Sequence, residues 1–284
     1  MVRFVPLTIG FVCVAWAAGP PIDNARRLYD ATDFQGSLVV LNAIPEKSAE
    51  VNALMGRNYY MLADFKRASE MLEKAFNAQP SNSDYALWLG RSYGRRAETS
   101  GVFTAPGFAG KARQCFEKAA RLNPRNVEAL GDLFEYYLEA PGFLGGGTDK
   151  AQQVAGQMAQ VDSSEGYWAM YKLAEERRDY SRAEEQLRRA IDAAPRNIGK
   201  FIELARFLTK QGRYQEAEQS FERAEKIAPS SPKLIYARAD LYIRTGRNLD
   251  AAKALLEQYL NTTLTPEDPP RAEAVKLLRK VRGG

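Results

Sequence analysis

Residues 164–197 and 198–231 are two copies of one pattern. Ala183, Leu187, Ala190 and Pro195 recur as Ala217, Phe221, Ala224 and Pro229, each 34 residues further on. A fixed period of this length constrains the fold more than any other feature of the chain. Every copy must form the same supersecondary unit and bury its apolar face on the next copy. The period extends upstream. Residues 49–82 carry Met55, Gly56, Tyr59, Ala68, Leu72, Ala75 and Pro80, and residues 83–126 carry Leu89, Gly90, Tyr93, Ala112, Phe116, Ala119 and Pro124. Residues 127–163 and 232–264 are looser copies, marked by Leu130, Leu133, Tyr137 and Ala151 and by Ile235, Ala239, Tyr242, Ala251 and Leu255, and a degenerate unit covers about 20–48.

A large residue, Leu, Gly or Ala and then Tyr on a first helix, followed by Ala, Phe or Leu, Ala and Pro on a second, resembles the tetratricopeptide repeat. The resemblance spans residues 18–264, in units near 20–48, 49–82, 83–126, 127–163, 164–197, 198–231 and 232–264. It implies an all-α, right-handed superhelical solenoid of about seven helix-turn-helix units with a concave groove. The small residues Gly56, Gly90, Ala205 and Ala239 are expected where the two helices of a unit cross, facing Ala68, Ala112, Ala183, Ala217 and Ala251. Residues 265–284 read as a capping helix. Asp268 is its expected N-cap, Pro269 its first residue, and Ala274, Leu277, Leu278 and Val281 its apolar stripe.

Histidine is absent, which excludes Ser-His-Asp and Cys-His catalysis and the usual zinc ligand sets. The two cysteines, Cys13 and Cys115, offer no internal disulfide once Cys13 is removed with the N-terminus. Residues 1–17 read as a secretory signal peptide: Arg3 precedes an apolar run ending at Trp16, and Ala15-Trp16-Ala17 is the expected cleavage site. The mature chain is then expected to be exported, periplasmic or associated with the cell envelope, with no stable membrane span. A net charge of +5 permits an anionic partner without indicating nucleic acid.

Two units are longer than the rest. Nine positions separate Tyr59 from Ala68, but nineteen separate Tyr93 from Ala112 and fourteen separate Tyr137 from Ala151. Both insertions contain Ala-Pro-Gly-Phe, at 105–108 and 140–143, and both fall between the two helices of their unit. Gly142 and Gly147 have the glycine spacing of a phosphate loop, but Thr148-Asp149 follows where Lys-Ser/Thr is required and no strand precedes, so no nucleotide or other cofactor is expected. The glycines instead read as turn residues, with Thr148 capping the next helix. Phe108 and Phe143 mark the loop edge, either as pins tucked against neighbouring helices or as an aromatic pair contacting a partner.

In the family that the sequence resembles, set positions of each first helix line the groove. They fall here on Arg57, Tyr60, Arg91, Arg95, Trp168, Lys172, Arg206, Lys210 and Tyr236, among the acids Glu135, Glu139, Glu175, Glu176 and Asp240. Such a mixture suits an extended peptide or protein segment carrying carboxylates. It also matches an ordinary solvated surface. The expected function is a non-enzymatic protein-interaction scaffold. The alternatives are an accessory subunit of an envelope enzyme or assembly complex, or a self-assembling structural protein.

Overall fold

The computed structural model describes residues 21–283, so the segment read as a signal peptide lies outside the described residues. The described chain is all-α, with helices packed in successive antiparallel pairs. The pairs are α1 (Pro21–Asp30) with α2 (Phe34–Ala43), α3 (Ala49–Met61) with α4 (Phe65–Ala78), and α5 (Ser83–Thr99) with α6 (Ala105–Leu122). They continue with α7 (Val127–Glu139) and α8 (Thr148–Val161), α9 (Ser163–Glu176) and α10 (Tyr180–Ala193), and α11 (Ile198–Lys210) and α12 (Tyr214–Ile227). The last pair, α13 (Pro232–Thr245) and α14 (Leu249–Leu260), is covered by α15 (Arg271–Arg282).

Local chemistry sets the boundaries. Asn82, Asn126 and Asn197 cap first helices and Asp33, Asp64 and Asp179 cap second helices, each accepting from a backbone N–H two or three residues on. Four units turn between their helices through one left-handed residue, Thr32, Ala63, Arg178 or Gly212, and the last unit through two, Gly246 and Asn248. The two long units lack this turn and use their insertions instead.

The predicted crossing is present. Ala68, Ala112 and Ala183 are fully buried and Ala217 nearly so. A Cβ on Gly90 would come within 2.7 Å of the Phe116 ring. Each fully buried Leu or Phe in this seam, Leu72, Leu187 and Phe221 among them, contributes roughly 1.5–3 kcal/mol.

Three sequence expectations are corrected. In the last unit the buried pair is Ala252 and Leu256, while Ala251 is exposed. Left-handed Gly246 and Asn248 make that turn one residue longer and shift the register. Thr148 does not cap α8; it is the first helical residue after Gly147, and no side chain caps that end. Asp268 does not cap α15 either. Pro270 restricts Pro269 to extended backbone, so the helix begins only at Arg271. Asp268 instead accepts from the backbone N–H and hydroxyl of Thr265, at 2.9 and 3.0 Å.

Candidate concave groove

The superhelix curves far enough for α3 and α5 to face α11 and α13 across a cavity of about 590 Å³. Tyr60, Phe65 and Trp88 form one wall, with Tyr60 edge-on to Phe65 at 5.5 Å and to Trp88 at 5.4 Å. Arg91 and Arg95 flank these rings. Ile202, Arg206, Lys233 and Tyr236 form the opposite wall, and the loop Pro266–Pro270 closes a third side. Burial pushes the hydroxyl of Tyr29 on α1 up to about 12 against the opposing field of Arg57. The turn of the superhelix is tight enough that Glu267, near the C-terminus, adds to that shift.

The structure therefore brings Tyr60, Arg91, Arg95, Arg206 and Tyr236 together and leaves the other expected groove residues outside this cavity. Trp168 lies against Phe134 at 5.8 Å, with Lys172 and Lys200 over its face. Lys210 pairs with Glu175 at 2.7 Å. Sequence reasoning missed Phe65, Trp88, Lys233 and the loop Pro266–Pro270. Trp88 adjoins an expected groove position and could have been included. The loop gave no local signal, because it meets α3 and α5 only through the closing of the superhelix.

Several cations of the first helices already have partners on an adjacent unit. Arg26 bonds Glu50, Arg57 bonds Asp84, and Arg91 bonds Asp132 at 2.6 Å and Glu128 at 3.1 Å. Lys200, only 7% exposed along its side chain, bonds Glu165 at 2.8 Å. These pairs join successive first helices like rungs. Their residues stiffen the wall as well as line it. Burial pushes the Asp132 carboxyl above its ordinary value despite Arg91. Arg95 and Arg206 differ: their carboxylates, Glu98 and Glu203, are three residues away on the same helix. Arg206 can turn to a ligand without releasing a neighbouring unit, whereas Arg95 also stands over the ring of Phe65 on the preceding unit, at 5.0 Å.

The two loop phenylalanines part company. Phe108 is half-buried, stacked on Tyr93 at 6.2 Å with the Arg96 guanidinium over its ring at 3.9 Å. Phe143 is 82% exposed. Val102 and Phe103, absent from the expected loop edge, are exposed as well, and their tandem apolar character beside Gly101 was the signal. The Cys115 thiol is pushed up to about 12 by burial, so it carries no reactive thiolate near neutral pH.

Family models described as tetratricopeptide repeat match residues 170–232 and 208–280. Solved structures extend the likeness upstream. A tetratricopeptide repeat protein from Parabacteroides merdae is 15% identical, with 92% of this chain and 97% of that one covered at a TM-score of 0.58. Residues 170–280 carry tetratricopeptide repeats, and the described chain as a whole has the fold of tetratricopeptide repeat structures. A thermophilic member from Thermus thermophilus is 19% identical over 66% of this chain and 97% of that one, at a TM-score of 0.54. In the anaphase-promoting complex hetero-tetramer Cut9–Hcn1 the match is 14% identical, covering 90% of this chain and 48% of that one, at a TM-score of 0.50. None of the curated proteins matches the chain in sequence. Tetratricopeptide repeats mediate protein–protein interactions. Among the described residues no helix is long and apolar enough to cross a membrane.

Proposed function

We propose that this tetratricopeptide repeat protein is a non-enzymatic scaffold that holds an extended segment of a partner protein in its concave groove. The observation that carries this reading is the cavity between α3–α5 and α11–α13. Tyr60, Phe65 and Trp88 offer apolar area there, with Arg95 beside them and Arg206 and Lys233 opposite. A segment bearing carboxylates suits Arg95, Arg206 and Lys233, while an apolar side chain suits the aromatic wall. The signal-like N-terminus supports export to the periplasm or envelope as the setting.

A photoreactive residue replacing Tyr236 tests the reading in cells, with the same residue at exposed Gln219 on the outer helix α12 as control. Discrete adducts from position 236 alone, lost in R95E/R206E, are the expected outcome. Adducts that survive this charge reversal, or that form equally from position 219, contradict the groove reading.

A further inference from the structure

Four large apolar side chains among the described residues are more than two-thirds exposed. Three of them, Val102 at 80%, Phe103 at 97% and Phe143 at 82%, sit on the two insertions, and the fourth is Val39 on α2. The insertions belong to successive units and emerge on the same edge, between the first and second helices. The second insertion also rests on α6, the helix that follows the first, for the guanidinium of Arg113 lies against Gly145.

Neither loop needs these side chains to fold. Phe108 already pins the first. The second is held by polar contacts: Gly147 N–H donates to the Tyr137 carbonyl at 2.8 Å, the Tyr136 hydroxyl to the Leu144 carbonyl at 2.9 Å, and the Lys150 ammonium to the Gly145 carbonyl at 2.8 Å. Pinned loops that turn Val102, Phe103 and Phe143 into water imply an apolar medium for them to enter.

We propose that this edge docks on the surface of an anionic lipid bilayer, with Val102, Phe103 and Phe143 entering the acyl boundary. Two features favour lipid over protein. The tips stand beside Gly101, Thr104, Pro141 and Gly142, without the surrounding apolar contacts that seal water from a protein hot spot. Cations also outnumber acids behind them. Residues 96–113 and 139–150 carry Arg96, Lys111, Arg113 and Lys150 against Glu98, Glu139 and Asp149. Shallow apolar insertion backed by basic side chains is how peripheral proteins bind anionic membranes. The edge lies outside the groove cavity, so docking leaves the groove free to hold its segment.

The test is co-sedimentation of the whole described chain with phosphatidylcholine vesicles, with and without phosphatidylglycerol. The wild type is expected to bind the anionic vesicles, and less so as salt rises. F103S/F143S should bind about tenfold more weakly with an unchanged melting temperature, while F103L/F143L should retain binding. Absence of wild-type binding, or undiminished binding by the serine pair, overturns the proposal. So does a serine pair that keeps vesicle binding but loses a protein partner.

Discussion

Ala-Pro-Gly-Phe occurs twice and folds two ways. At 105–108 it is the first turn of α6, with Pro106 at the helix start and Phe108 one turn before Ala112 on the buried face. At 140–143 the same residues leave the helix. Ala140 and Pro141 are extended, Gly142–Leu144 make a single 3-10 turn, and Phe143 faces water. The difference comes from the residues immediately downstream. Ala-Gly-Lys-Ala continues a helix, whereas Leu-Gly-Gly-Gly stops one, with Gly145 at φ +89° and Gly147 at φ +153°. Tetrapeptide identity determined neither conformation nor exposure; the register to the next buried alanine determined both.

Substitutions at matching places sharpen that contrast. The largest effect is expected at Gly146, where a Cβ would collide with the Ala140 carbonyl. Gly146→Ala should cost about 3 kcal/mol in chemical denaturation, or force the loop to rearrange. No glycine of the first insertion is confined in this way. Phe108→Ser should then cost about 2 kcal/mol by stripping the Tyr93–Arg96 stack, while Phe143→Ser should change stability by less than about 0.5 kcal/mol. Equal losses at both positions would erase the distinction between pin and display.

A smaller, pH-dependent difference sits beneath the second copy. Burial and the bond to Glu117 push the Tyr137 hydroxyl up to about 12. The stabilisation is therefore complete below the unfolded tyrosine value of about 10 and is lost as pH climbs through the folded value. Wild type should lose about 1 kcal/mol more than Tyr137→Phe over that interval, given the partial exposure of the ring. The smallest change has the opposite sign. Gly107 is helical, and a methyl group there would meet nothing within 4 Å, so Gly107→Ala should raise stability by about 0.5–1 kcal/mol.

The helical pairs were legible because 34-residue spacing, capping residues and buried alanines all point the same way. The last unit was misread by one residue, since nothing marked Asn248 in advance as a left-handed turn residue. In the groove, residue types were legible and their tasks were not. Arg57 and Arg91 have the expected charge, but their acids lie 27 and 41 residues on and become neighbours only when units stack. Reversing either charge would loosen the stack as well as the site. Arg206, paired within its own helix, is the residue whose reversal probes binding alone, and Arg95 gives up only its stack on Phe65 besides.

The central claim is that the superhelix closes until its last loop faces its second and third units across one cavity. Spin labels at Arg95→Cys and Glu267→Cys, with both native cysteines replaced by alanine, measure this closure by double electron–electron resonance. A single narrow distance distribution at the short end of the method's range is predicted. A long, broad distribution would mean an open solenoid in which the aromatic wall and the Pro266–Pro270 loop never share a site.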